Sequence, residues 1–154
     1  MLANRPKSLL EGWVTEIIIN ASKQFVWNKL VDFEAYKDWN PFILEASAEF
    51  KVGSKILFLE DLQEFGKHWI TAKFLLIQEP DEFFWQENVF PGFLFKVRHG
   101  FNLESINEKQ TRFIHSHRHT VLLLPYLDRR GVFQRSREGY IRCNEALKKF
   151  CEES

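Results

Sequence analysis

Between Ile43 and Val121 the chain is a succession of strand-like segments whose connections are too short for crossover helices. The segments are 43–51, 55–60, 67–78, 82–88, 96–106 and 111–121, and they are rich in β-branched and aromatic residues. Breaks fall at Val52-Gly53-Ser54, Glu64-Phe65-Gly66, Glu79-Pro80-Asp81, Phe90-Pro91-Gly92 and Asn107-Glu108-Lys109-Gln110. A parallel pair needs a connection of about a dozen residues or more, so these breaks dictate an antiparallel meander. Segment 96–106 shows both faces of the sheet. Val97, His99, Phe101 and Leu103 alternate with Arg98, Gly100, Asn102 and Glu104, which turns the odd-numbered side chains inward.

The flanks supply the remaining elements. Trp13 to Ile19 reads as a further strand. Ser22 is a fitting N-cap, after which Val26, Leu30 and Phe33 recur at helical spacing, widened by Trp27 and Val31. Phe33, Tyr36 and Trp39 predict a second short helix, stopped by Pro41. Pro125 interrupts the chain, and Gly131 to Cys151 then forms a long amphipathic helix. Phe133, Tyr140, Cys143, Leu147 and Phe150 lie near one of its faces. Gly139 is an unfavourable residue in its interior. The inventory predicts an α+β fold: a curved antiparallel sheet of about seven strands, two short helices after the first, and a long C-terminal helix across the concave face. No repeat, low-complexity tract or linker divides the chain. Residues 10–153 are expected to form a single domain, with 1–9 a flexible lead-in.

Composition narrows the function. A chain of 154 residues can bury one core. Lys plus Arg and Asp plus Glu balance at 21 each, which lacks the basic footprint of a nucleic-acid binder. Cys143 and Cys151 lie eight positions apart on one helix, about 12 Å along its axis, too far for a disulfide. Reduced thiols and the lack of a secretory signal suggest a cytoplasmic protein. No stretch approaches the roughly 18 apolar residues of a transmembrane helix. Aromatic content is high, at 16%, with 16 Phe and 5 Trp. Such side chains fill a core or line an apolar ligand cavity, and composition fits either use.

Several pieces of the chain occur in a meaningful order. They are Val26-Trp27 with Asp32-Phe33, Tyr36, Trp39-Asn40-Pro41-Phe42, and Gly53 in the first turn between strands. Pro80, His99-Gly100-Phe101, Thr111-Arg112-Phe113-Ile114-His115, Leu123-Leu124-Pro125 and Asn144-Glu145-Ala146-Leu147-Lys148 follow. From Trp13 to Glu152 the chain thereby resembles the START-like helix-grip proteins, the SRPBCC superfamily that includes polyketide cyclase/dehydrase-like and Bet v 1-like members. The resemblance implies a deep cavity between sheet and C-terminal helix that holds a hydrophobic small molecule such as a lipid, sterol, polyketide, quinone or plant hormone. A minority of such proteins are enzymes, so it implies binding, with no cofactor, and leaves chemistry open.

His115-Ser116-His117-Arg118-His119 is the most distinctive chemistry. If Phe113 faces inward, so do His115, His117 and His119. His99, on the preceding strand, comes opposite His115 or His119 according to register. Two histidines at i and i+2 with a third across a hairpin can hold zinc, so His99, His115 and His117 are an alternative metal site. The competing reading makes them pocket or core histidines, bonded to one another, to backbone or to ligand. In the look-alike proteins His99 and His115 correspond to histidines that hold no metal. His117 and His119 stand where an acid and an apolar residue are usual, which implies a more polar or pH-sensitive pocket floor.

The other candidates are aromatic or polar. Trp39, Phe42, Trp69, Trp85, Phe93, Phe101 and Phe113 are expected to line the cavity, though core packing is an equal use for Trp69 and Trp85. Phe90 to Phe95 reads as an entrance lid, an interface or a loop folded back on the sheet. Tyr140 and Asn144 are one helical turn apart and can point the same way. Asn144 would anchor a ligand or cap a loop carbonyl. The acids fall mostly on outward positions, so no paired carboxylates emerge, and there is no nucleophile motif or phosphate-binding loop.

Three functions fit these residues. The chain binds a hydrophobic or aromatic small molecule in the cavity. Alternatively it is a cyclase, dehydratase or hydrolase with His115 or His117 as general acid–base. Thirdly it is an interaction module, monomer or homodimer, docking through loop 89–95 and the run Val121 to Leu127.

Overall fold

The computed structural model describes residues 10–89, 95–120 and 131–154. The 1–9 lead-in, Phe93 with its loop, and Leu123-Leu124-Pro125 within the run from Val121 to Leu127 lie outside the described residues. Strands β1 (Leu10–Ile19), β2 (Ile43–Ala48), β3 (Lys55–Asp61), β4 (Lys67–Gln78), β5 (Glu82–Val89), β6 (Phe95–Asn107) and β7 (Gln110–Thr120) build one sheet. Its order is β1-β7-β6-β5-β4-β3-β2, and every neighbouring pair is antiparallel. Consecutive strands pair from β2 to β7, as their short connections require. The chain's first strand closes the far edge against the last.

Between β1 and β2 lie α1 (Lys23–Leu30), a 3-10 turn and α2 (Tyr36–Trp39). Ser22 caps α1 by accepting from the Phe25 N–H at 3.3 Å. Past α2, the Asn40 side chain accepts from the N–H groups of Phe42 and Ile43, both at 2.9 Å. That bracket turns the chain into β2. The 21-residue helix α3 (Val132–Glu152) lies over the inner face of the sheet, chiefly against β1 and β7.

The core is aromatic. Trp27, Phe33, Phe74, Phe83 and Trp85 interlock on the inner face, with Phe83 stacked on Phe101 at 4.6 Å. Each such ring removes roughly 150–250 Å² from water, at about 25 cal/mol per Å². Alternation along β4 buries Ala72 and Phe74 and turns Trp69 outward. Trp69 is 57% exposed on the outer face, and this corrects its expected place in the cavity lining.

Candidate functional site

One row of inner-face side chains runs across four strands. Trp85 pairs with His99, His99 with His117, and His117 with Trp13. The next row joins Phe101, His115 and Thr15. His99 therefore stands opposite His117, which corrects the expected pairing with His115 or His119. Register decides this, and register follows from the two-residue turn at Glu108-Lys109 together with an irregularity between Ser105 and Asn107.

His99, His115, His117 and His119 are all buried, and their ring nitrogens form an ordered network with β1 and α3. The Asn144 amide donates to Thr15 Oγ1 at 2.9 Å, and Thr15 Oγ1 donates to the His115 carbonyl at 3.2 Å. The Asn144 Oδ1 must then accept from His115 Nδ1, 2.7 Å away. With Nδ1 carrying the proton, a neutral His115 presents Nε2 as an acceptor. The Nε2–H of His99 donates to it at 2.5 Å. His117 is held from both sides, by the Tyr140 hydroxyl at 3.1 Å and by His119 Nδ1 at 3.0 Å. Trp13 lies flat against His117, centroids 3.9 Å apart. Asn144 is thus a ligand of His115, not the cap of a loop carbonyl.

Burial keeps these imidazoles uncharged. It pushes His115 down to about 3, against opposing hydrogen bonds from Asn144 and the Tyr140 backbone. It also pushes His117 to about 3, helped by His119 and His115. His99 lies well below its ordinary value, through burial and then the neighbouring His115 and His117. Tyr140 is raised well above the usual phenol range by burial, then by Glu60 and Glu87. The cluster is a neutral relay of donors and acceptors with fixed tautomers. For the alternative metal site at His99, His115 and His117, the facing nitrogens of His99 and His115 leave no room for an ion between them. Among the described residues no group of three or more His, Cys, Asp or Glu side chains is arranged to hold one.

Two acids stand on the inner face against expectation, Glu87 buried and Glu60 half-buried. Glu60 follows Ile56 and Phe58 on the inner side of β3, and Glu87 follows Phe83 and Trp85 on the inner side of β5. Glu87 is 8% exposed. Burial lifts Glu60 to about 7, and burial followed by the charge of Glu60 lifts Glu87 to about 8. Neither carboxyl has a hydrogen bond or ion pair among the described residues. The Nε1 of Trp85, whose ring lies 5.3 Å from that of Phe58 and which precedes Glu87 by two residues on the same strand, is buried without a partner among the described residues. The alternation that places Val97 and His99 inward applies equally to Glu87 after Phe83 and Trp85. It is the signal that identifies both acids, and the expectation of outward acids is corrected on it.

Of the remaining candidates, Phe101 and Phe113 flank His115 on the inner face. Trp39 instead stacks on Phe150 at 5.8 Å, under the C-terminal part of α3. Phe42 is fully buried between Tyr140 and Gly139. Trp39 thus packs helix on helix, and Phe42 packs α3 against the start of β2, where its carbonyl accepts from the Asp61 N–H at 2.9 Å, next to Glu60. On the outer face, a groove of about 240 Å³ over Gly100 is lined by Phe84, Arg98, Asn102, Ser116 and Arg118, on the reverse of the histidine strand.

No protein-family model matches the sequence, and no curated protein matches it. Solved structures do resemble it. A START superfamily protein from Mycobacterium smegmatis superposes with a TM-score of 0.73 at 18% identity, covering 92% of this chain and 97% of that one. The Zhui aromatase/cyclase from a Streptomyces species gives 0.72 at 13% identity, covering 93% and 94%. Ara h 8.0201 gives 0.65 at 14%, covering 94% and 99%. The chain has the START-like helix-grip fold. The sheet order, the helices after β1 and the long α3 are the elements of that architecture. A START superfamily protein and an aromatase/cyclase share this architecture. No described helix is long and apolar enough to cross a membrane.

Proposed function

We propose that this START-like chain binds a hydrophobic or aromatic small molecule between the inner face of the sheet and α3. The observation that carries the reading is the set of unpartnered polar groups at one end of an aromatic interior. The Trp85 indole N–H is buried without a protein partner, and the buried Glu87 beside it on the strand has no hydrogen bond or ion pair among the described residues, whereas buried polar groups in folded proteins are almost always paired. A ligand's polar atoms would supply the missing partners, and the flanking rings would bury its apolar body. A likeness to proteins called START and aromatase/cyclase supports the same reading.

The enzymic reading through His115 or His117 has less support. The ring nitrogens of both are engaged by protein groups, and both sit far below the pH range in which a general base operates. Native mass spectrometry of freshly purified protein, set beside its denatured mass, tests the binding reading. The expected result is an excess mass of small-molecule size that disappears on denaturation. Native mass equal to denatured mass, with no small apolar compound bound on addition, would overturn it.

A further inference from the structure

We propose that the outer face of the sheet carries a second binding site, separate from the interior, for a small organic phosphate monoester clasped by Arg98 and Arg118. Arg98 on β6 and Arg118 on β7 stand directly opposite one another in register, and like charges in that position repel. Both line the groove of about 240 Å³ over Gly100. Both also line a second groove of about 260 Å³ beside it, with Gln86, Lys96 and Thr120. Among the described residues no acid is paired with Arg98, Arg118 or Lys96. Glu104, on the same face of β6, is taken by Arg112 at 3.2 Å. Glu82 lines the first groove at its other end. It lies four residues along β5 from Gln86, the partner of Arg98, about 13 Å away along the strand.

Arg98 is held in place for such a ligand. Its Nε donates to Gln86 Oε1 at 3.0 Å, and its guanidinium lies over the Phe84 ring, 5.4 Å from the centroid. Its two Nη groups have no protein partner among the described residues, and neither does the Arg118 side chain. Guanidinium groups fixed in this way present donors in a fork that matches an oxyanion. A phosphate monoester brings a charge of about −1.5 to −2 and three acceptor oxygens, enough to answer both arginines, whereas a carboxylate brings one charge and two oxygens. The floor of the groove decides the body. Gly100 leaves it open, since a Cβ there would lie 2.5 Å from Ser116 Oγ. Asn102 Oδ1 is buried with no partner among the described residues. The side-chain oxygens of Asn102 and Glu82 are acceptors, so the body that fits carries hydroxyl donors, as a sugar phosphate does.

Calorimetric titration of the full chain with glucose 6-phosphate, inorganic phosphate and glucose tests the site. Glucose 6-phosphate is expected to bind tightest, and glucose at least about tenfold more weakly, as the loss of charge-assisted hydrogen bonds dictates. Arg98→Gln and Arg118→Gln should each weaken glucose 6-phosphate at least about tenfold. Both side chains are exposed, so the fold survives the change, which circular dichroism checks. Gly100→Ala fills the floor and displaces only the Ser116 hydroxyl, so it should weaken the sugar phosphate more than phosphate alone. Arg112→Gln removes the same charge from the same face at the Glu104 pair and should leave affinity unchanged. Phosphatidylcholine vesicles containing phosphatidic acid present the same group on a lipid, and the chain is expected not to sediment with them. Sedimentation that Arg98→Gln abolishes would assign the phosphate to a lipid headgroup and overturn the sugar body. So would glucose 6-phosphate binding no tighter than phosphate. An equal loss in Arg112→Gln, or no saturable binding of either phosphate compound, would overturn the site itself and leave the interior binding reading standing.

Discussion

The ring of Phe42 occupies the space where Gly139 has no side chain. A Cβ built at Gly139 would lie 2.2 Å from Phe42 Cδ2 and 2.4 Å from its Cε2. The glycine that weakens α3 as a helix is what lets the helix settle on the sheet. In the interior of an exposed helix, Gly→Ala is worth about 1 kcal/mol of added stability. Here the opposing overpacking costs about 1–3 kcal/mol or more, since Phe42 is fully buried and cannot swing away. Gly139→Ala is therefore expected to lower the urea midpoint, with the double variant Gly139→Ala/Phe42→Leu recovering part of the loss. A more stable single variant would show that α3 does not rest on Phe42.

Asn144 fixes the tautomer of His115. Truncation to Ala leaves His115 Nδ1 and Thr15 Oγ1 buried without this partner. Each orphaned group costs about 1–3 kcal/mol. Asn144→Ala should lose at least that much in urea unfolding, and the His115 ring signals in nitrogen NMR should show its tautomer no longer held. An unchanged His115 spectrum would mean that another group orients the ring.

Trp85 and Trp69 lie on opposite faces of adjacent strands, and substitution should separate them. Trp85 is fully buried against Phe58, Phe74, Phe101 and His99. Trp85→Ala is expected to cost about 3–5 kcal/mol, so Trp85→Phe is the better variant for ligand measurements. Trp69→Ala should change stability by no more than about 0.5 kcal/mol. Thermal denaturation of both decides it, and a comparable loss at Trp69 would mean that its outer face is covered in solution.

The contrast between these two tryptophans shows what a sequence of this kind reveals. Turn residues and period-two alternation locate the strands to within a few residues, and the long helix falls within one residue of its expected ends. Facing is legible where alternation is clean, as in 96–106, and unclear in Lys67–Gln78, where Trp69 and Ile70 are adjacent and compete for the inside. Glu60 and Glu87 were legible by the same parity, but a charged residue is ordinarily assigned to water, and that prior outweighs the pattern. Register is the hardest part. A shift of one residue in the β6–β7 turn changes which histidine meets which, and here the irregularity between Ser105 and Asn107, which strand alternation does not reveal, helps set it.

Stability against pH is governed by two buried sets that act in opposite senses. Burial holds His115 and His117 near 3 in the folded chain, and His99 well below its ordinary 6.5. Below pH 6.5 the unfolded chain takes up three protons that the folded chain refuses. The histidine contribution is thus complete above 6.5 and lost as pH falls. Glu60 and Glu87 are raised from 4.5 to about 7 and about 8. Their contribution is complete below 4.5 and lost as pH rises through 7 and 8. Between 4.5 and 6.5 three histidines against two carboxyls leave the unfolded chain one proton ahead, so stability climbs gently, by roughly 1 kcal/mol per pH unit. Above 6.5 only the carboxyls act and stability declines until about pH 8. Urea unfolding across this range should peak near pH 6.5. Glu87→Gln should make the alkaline decline shallower and the acid limb steeper. A wild-type profile that is flat from pH 6.5 to 8 would show that the two acids are already ionised in the folded protein.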